Sequence, residues 1–316
     1  MNLNWLDAFL LQGLFQVVMV IGLALLLHLQ MGLVRIANFG VVGFWGLGAY
    51  AFAVLFVGVD WSIGEPWPFL ISMAFGAIVA GLAGLLVGWL IADLETEGVL
   101  VGTLGFATSV WILAVTEQGL TGGALGMGGL KFPFDIGKTK ANELLWFGVL
   151  FAVVGLIFFY VSRIHRSPYG RLLISVGDNE PLASSLGKPA FRTKLWLFAV
   201  GSAGMGLLGA IYGVMAHMLI PESIGINVTL AAMVGLVLGG TARVWGAVVG
   251  VILTVGLFEI VVQSYLPLPR SWYTQAIPVL REMVFGATLI VVLIIKPSGI
   301  LGDMRRDKLL RRMHGE

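Results

Sequence analysis

The sequence predicts an all-α protein, a polytopic transmembrane helical bundle of about 8 to 10 spans, some of them discontinuous. Three observations carry that expectation. Apolar residues make up 58% of the 316 and charged residues only 11%, with a mean hydropathy of +0.96, a balance foreign to water-soluble folds. Apolar stretches near or above the roughly 18 residues needed to cross hydrocarbon recur along the chain. They lack the strict two-residue alternation of a membrane barrel, so their backbone N–H and C=O groups must be satisfied within helices.

In chain order the apolar runs are 6–30, 37–58, 69–92, 98–118, 144–162, 194–217, 228–240, 243–266 and 281–295. The first overlaps Met1 to Leu10, which carries Asp7 and no Lys or Arg, unlike the positive head of a cleavable secretory signal. Acidic Asp93 to Glu97 follows the third run, and a loop with Lys131, Lys138 and Lys140 follows the fourth. The fifth leads into Arg163 to Lys194, which holds six of the nineteen Lys and Arg. The seventh supplies thirteen residues, about 20 Å of helix against a core of about 30 Å. It is read as a broken or re-entrant helix ending at Gly239-Gly240. The ninth ends at Lys296, where a second basic cluster, Lys296 to Arg312, adds another six.

Lys and Arg accumulate on the cytoplasmic side of short loops. Four runs separate the two clusters, so both fall on one face, the cytoplasmic one, and the amino terminus lies outside. Lys131, Lys138, Lys140 and Arg270 dissent, but the opposite choice would place the twelve clustered charges outside.

Forty-four glycines are about twice the ordinary usage of roughly 7%. Many stand four apart, as in Gly84 and Gly88, Gly209 and Gly213, Gly235 and Gly239, and Gly246 and Gly250. Small residues at that spacing let helix backbones approach closely in lipid. Gly40, Trp45 and Gly46 recur at Gly240, Trp245 and Gly246, a faint internal echo.

Several chemistries are excluded. Gly137-Lys138-Thr139 lacks the glycine a phosphate-binding loop requires, since Phe132 holds that place. His28, His165, His217 and His314 are scattered, with no pair at metal-ligand spacing, and the absence of cysteine removes disulfides, thiolate sites and thiol nucleophiles. Serine nucleophile signatures and paired intramembrane carboxylates are missing too, so an enzyme is not expected. A charge near the bilayer centre costs on the order of 2.5 to 3.5 kcal/mol. Glu259 is therefore a candidate for the transport path as well as for an ion pair with Arg270 or Arg281. So few intramembrane charges argue that transport energy comes from outside this chain.

The stretch Ser167-Pro168-Tyr169-Gly170-Arg171, followed by Glu180-Pro181-Leu182-Ala183-Ser184-Ser185-Leu186-Gly187, resembles the cytoplasmic loop of branched-chain amino acid ABC importer permeases of the LivM/LivH class. Three further stretches agree. They are Gly98 to Phe106 with the later Leu120-Thr121-Gly122-Gly123, Val237-Leu238-Gly239-Gly240 leading to Val244-Trp245-Gly246, and the tail Lys296-Pro297-Ser298-Gly299-Ile300-Leu301-Gly302. The Thr103-Leu104-Gly105-Phe106 and Leu120 to Gly123 pair is similar to the M-type partner. Val34 to Gly40 and acidic Asp93 to Glu97 depart from the family's usual pattern.

The resemblance implies one transmembrane permease domain over 1–316, with a cytoplasmic coupling loop 163–194 and a basic cytoplasmic tail 296–316. Coupling to the ATPase would fall on Asp178, Asn179, Glu180, Ala183, Ser184, Leu186 and Gly187, a short amphipathic turn showing Glu180 and Ser184 to water while Leu182 and Leu186 pack. The pathway candidates are the helix breaks at Gly40, Gly43 and Gly46, at Thr121, Gly122 and Gly123, and at Gly239 and Gly240, together with Glu259. The implied partners are a second permease in a heteromeric pair, two ATP-binding cassette subunits, an extracytoplasmic binding protein and membrane lipid, with no nucleic acid. This chain would bind no cofactor, ATP and Mg belonging to the partners, and would sit in a bacterial or archaeal plasma membrane. Its solute would be a branched-chain, hydrophobic or other neutral amino acid, or else urea, a short amide or an aromatic acid. A self-sufficient secondary transporter or channel is the alternative from another class.

Overall fold

The computed structural model describes residues 4–62, 64–92, 94–133 and 139–256, and beyond these 279–280, 283–284, 286–288, 290–291, 294 and 299–302. The order is α1 (Asn4–Leu27) continued by a π-helical turn His28–Leu33, α2 (Val41–Gly58), α3 (Trp67–Leu90), α4 (Thr96–Thr116), α5 (Gln118–Thr121), β1 (Met127–Gly128) and α6 (Thr139–Arg166). Then follow α7 (Pro168–Asp178), α8 (Glu180–Ser185), α9 (Ala190–Ala216), β2 (Met218–Leu219), α10 (Ile226–Gly239) and α11 (Val244–Val251), the last extended by a π-helical turn to Gly256.

Among the described residues seven helical stretches are long and apolar enough to cross a membrane, and Val244–Gly256 is a shorter apolar one. Their positions follow the first seven apolar runs, with one correction. The seventh is not limited to thirteen residues: a 3₁₀ turn, Pro221–Ile224, precedes α10 and makes a 19-residue stretch, Pro221–Gly239. Extended Gly225 (φ −72°, ψ 150°) separates turn from helix, so the element is discontinuous at its start. The rest of the eighth run, including Glu259, and most of the ninth lie outside the described residues.

The chain divides into two compact units, residues 29–229 and residues 1–28 with 230–316. In the first, α2, α3 and α9 cross at a point built from glycine. A β-carbon on Gly48 would overlap the backbone of Gly206, and one on Gly76 would lie 2.5 Å from the carbonyl oxygen of Gly48. Lower on the α3–α9 seam, a β-carbon on Gly84 would stand 2.6 Å from the side chain of Ser202, and one on Gly88 would press on Leu195 and Phe198. In lipid no hydrophobic drive brings helices together, so close backbone packing must supply the association energy. α4 joins through Gly43 against Ala107 and through Phe44 stacked on Phe106 with centroids 4.5 Å apart. The opposite flank of α3 (Ile78, Leu82, Leu86) and of α6 (Phe151, Leu156, Phe159) stays exposed and wholly apolar, as a lipid-facing surface requires.

Connections within this unit alternate between two faces. One face gathers the segment 34–40, the α3–α4 corner and the whole of α7 and α8, as the Arg35–Asp178 ion pair and a shared cleft show. The other holds the two-residue ladder of β1 with β2, Met127 opposite Leu219 and Gly128 opposite Met218. There His217 Nδ1 lies 3.2 Å from the carbonyl of Leu130, with its ring edge-on to Phe132.

In the second unit α10 and α11 form a helical hairpin. Gly235 and Gly239 face Gly246, Gly250 and Val251 so closely that no β-carbon fits between them. Both four-residue spacings noted in the sequence therefore meet in one interface. The Gly40 and Gly240 echo does not extend to environment, since Trp45 is buried and Trp245 exposed.

Candidate functional site

The elements from Arg163 to Lys194 form a structure in which α7 and α8 each open on a side-chain cap. After α6, Ser167 turns the chain: its hydroxyl accepts from the Gly170 amide at 3.1 Å and donates to the Ile164 carbonyl at 2.7 Å, with Pro168 opening α7. Pro at the first turn costs nothing there because its missing N–H would be unpaired anyway. Leu173 and Val176 bury one face of α7. Exposed Tyr169 keeps its proton more firmly than usual, because partial burial and then the neighbouring Tyr160 raise its pKa.

Asn179 breaks α7 in extended conformation and caps α8, its Oδ1 accepting from the Leu182 amide at 3.0 Å. Glu180 in the first turn suits the positive end of the helix dipole. Gly187 closes α8 in the left-handed region (φ 76°), donating to the Ser184 carbonyl, and Lys188 donates to the Ala183 carbonyl. Lys188 Nζ then reaches back 3.1 Å to Ser175 Oγ on α7. Two ion pairs fasten the hairpin to its surroundings: Asp178 with Arg35, and Glu180 with Lys194 at the start of α9.

The orientation of α8 corrects the sequence expectation. Ala183 is its buried residue, 3% exposed, while Leu182 and Leu186 are 57% and 69% exposed. Four residues apart, the two leucines share a face that points away from the body. Glu180 is held by Lys194 rather than left to water, and Ser184 is exposed. A helix of six residues anchors through one small side chain and the capping residues, so its large apolar pair is spared for the outside.

The candidate pathway glycines have close neighbours. Gly40 precedes α2 beside Thr103 and Asn38, Gly43 lies on Ala107, and Gly46 lies on Ile224. Thr121 ends α5, with its hydroxyl 2.9 Å from the Ala114 carbonyl, and Gly122 and Gly123 follow in left-handed conformation (φ 75° and 60°). Gly239 ends α10 and Gly240 turns away with φ 104°. Gly299 to Gly302, the described part of the tail stretch, close that end. Ile300 and Leu301 donate their amides to the carbonyls of Leu238 and Gly239 at 2.8 and 2.9 Å, pairing groups a helix terminus otherwise leaves open.

The sequence reading missed a buried polar cluster. Gln30 and Asn38 are fully buried: Asn38 Nδ2 donates to Gln30 Oε1 at 2.7 Å, and Gln30 Nε2 donates to the Phe198 carbonyl at 3.0 Å. The start of α2 is capped by side chains from three places. The amides of Phe39, Gly40 and Val42 donate to Thr103 Oγ1, Asn38 Oδ1 and Thr229 Oγ1 at 3.0, 2.7 and 3.0 Å. The available signal was a glutamine and an asparagine amid apolar residues. Beside this cluster a cleft of about 90 Å³ opens among Arg35, Ile91, Thr96, Glu180, Lys194 and Phe198. No group of three or more His, Asp or Glu among the described residues is placed to hold a metal.

Residues 9–293 match the family described as the permease component of the branched-chain amino acid transport system. The chain belongs to that family. The permease is 26% identical over 310 residues to the high-affinity branched-chain amino acid permease protein LivM of Escherichia coli, covering 91% of this chain and 68% of LivM. It is 27% identical to LivH of the same organism over 56% of this chain and 52% of LivH. It is also 26% identical to the autoinducer 2 import permease LsrC of Klebsiella pneumoniae, over 69% of this chain and 60% of LsrC. No solved structure matches it. The permease is thus a multi-pass membrane subunit of an ABC importer, a transport component and not a catalyst, and it works with partner subunits.

Proposed function

We propose that the permease forms half of the path by which a branched-chain or other neutral amino acid, delivered by an extracytoplasmic binding protein, enters the cell. The other half is a second, different permease subunit, and two ATPase subunits, which hold the ATP and Mg, dock on α8. The observation that carries this reading is the exposed Leu182 and Leu186 pair on a helix otherwise capped and clamped. A rigid helix with an apolar knob suits insertion into a groove of a partner. The same face bears Arg35, Arg163, Arg166, Arg171, Lys188, Arg192 and Lys194, whereas Lys131 is the described cationic side chain opposite. That asymmetry supports a cytoplasmic α7–α8 and, with the second basic cluster, a cytoplasmic carboxyl terminus.

Gly40, Gly43 and Gly46 shape the wall of the path by holding α2 close to α4 and to Ile224, and Thr121 to Gly123 form the bend on the far face of that unit. Gly239 and Gly240, at the end of α10 in the second unit, are retained as candidates by themselves. Glu259 is retained as a pathway candidate from the sequence alone. The weakly polar residues suit a neutral or zwitterionic solute, with urea and short amides as the competing class.

Co-expression with the two ATPases, the second permease and the binding protein tests the reading. The expected result is one purified assembly that accumulates leucine in liposomes only with ATP on the α8 side. Leucine accumulation by this chain alone, without ATP, would overturn it.

A further inference from the structure

We infer that Arg35 is a positioning residue for transport: through Asp178 it joins α8 to the non-helical segment that sets the first turn of α2, and so passes movement of α8 to α2. This rests on the docking role proposed for α8. Asp178 is the last residue of α7, next to the Asn179 cap. The residue before it, Gly177, is in backbone contact with the same segment: a β-carbon there would stand 2.7 Å from the Leu33 carbonyl oxygen and 2.9 Å from the Val34 carbonyl carbon. Arg35 itself is held in the left-handed region, φ 58°, which a non-glycine side chain adopts only where its surroundings impose it.

From Arg35 the contacts continue without a gap. The Ile36 amide donates to the Gln30 carbonyl at 2.9 Å, and Gln30 and Asn38 are joined by their amide side chains. Asn38 and Thr103 then take the amides of Gly40 and Phe39 at the mouth of α2. The second tether, Lys194 to Glu180, fixes α8 to α9, whose glycine seams with α2 and α3 make it the rigid part of the unit. The start of α8 is therefore pinned to the scaffold through Glu180 and, two residues earlier, linked through Asp178 to a stretch held by side-chain hydrogen bonds instead of a helical ladder. Arg35 and Asp178 are 45% and 52% exposed, so their pair adds little stability. Its value lies in the connection, the kind of discrete link through which a switching element acts at a distance.

Hydrogen exchange of the complete importer in nanodiscs, with and without ATP, tests this independently of the solute. In the parent, ATP is expected to change protection in both 178–187 and 33–42. In Asp178→Asn the change at 33–42 should fall by about five-fold or more while that at 178–187 persists. The exchange of charges, Arg35→Asp with Asp178→Arg, should restore it to within about two-fold of the parent. Parent-like protection at 33–42 in Asp178→Asn, failure of the charge exchange to restore it, or a parent in which α8 responds and 33–42 does not, each overturns the inference. An α8 that does not respond at all overturns the docking role itself, and this inference with it.

Discussion

Gly239 of α10 and Gly246 of α11 approach so closely that a β-carbon on the first would overlap the carbonyl oxygen of the second. The contact is backbone on backbone, so no rotamer change relieves a larger residue. Gly246→Ala is expected to destabilise the permease by at least about 1–3 kcal/mol, the usual cost of overpacking a dense interior. Gly105→Ala, where nothing lies within 4 Å, is expected to be neutral or slightly stabilising through its better helix propensity. Thermal unfolding in detergent distinguishes them, and equal melting points for the two variants would refute the close contact.

The buried amide pair yields a second expectation. Asn38→Ala removes the acceptor of the Gly40 amide and the donor to Gln30 in one step. Leaving buried polar groups unpaired costs about 1–3 kcal/mol each. The variant should therefore melt well below the parent, and Gln30→Ala should not add its full effect on top, because the two share a hydrogen bond. Additive losses in the double variant would argue that the pair acts independently.

The spans and the glycine seams were legible because composition and four-residue spacing act locally: Gly235, Gly239, Gly246 and Gly250 face one another as their spacing suggested. The position of α8 was legible from the resemblance carried by Glu180 to Gly187, and in the structure Asn179 and Gly187 close its two ends through near neighbours. Which way α8 faces was not. Six residues give under two turns, too few for periodicity to favour the Leu182 side over the Ala183 side. The Arg35–Asp178 pair, 143 residues apart in sequence, and the Gln30 to Phe198 bond, 168 apart, depend on the packed fold and leave no local pattern. Of the two departures from the family's pattern, Val34 and Arg35 from the first and Leu94 and Thr96 from the second line the cleft on the face that carries α8.

Leu182→Glu with Leu186→Glu should leave the fold unchanged, since both side chains are mostly exposed, and surface substitutions usually stay within about 0.5 kcal/mol. Burying two carboxylates in an apolar partner groove is costly, so ATPase capture should fall by about ten-fold or more. Pull-down with the tagged variant measures it. Undiminished capture at unchanged melting point would remove α8 from the docking surface.

Gly187→Trp probes the same helix differently. Its site has open space but a left-handed backbone, φ 76°, so the strain of about 1–3 kcal/mol falls on the α8 exit and not on the core. Membrane insertion and purified yield should be retained while ATP-driven uptake by the assembled importer drops by about ten-fold, the loss expected if α8 must keep its shape to transmit force. Parent-level uptake would show that the end of α8 tolerates remodelling and is not part of the coupling device.

Because the chain contains no cysteine, single cysteines report the sidedness of the two faces without background. Ser184 is exposed on α8, and Leu125 is 81% exposed near the β1 ladder of the opposite face. In oriented vesicles a membrane-impermeant maleimide should label Ser184→Cys only from the cytoplasmic side and Leu125→Cys only from the other. Both positions are outside helices long enough to span, so neither label has to compete with lipid. The cationic side chains gathered around α7 and α8 are the ground for that expectation, since moving them across the bilayer is what the positive-inside bias opposes. Labelling in the reverse sense would place α8 out of reach of any cytoplasmic ATPase, and labelling of both from one side would contradict the alternation of connections between the two faces.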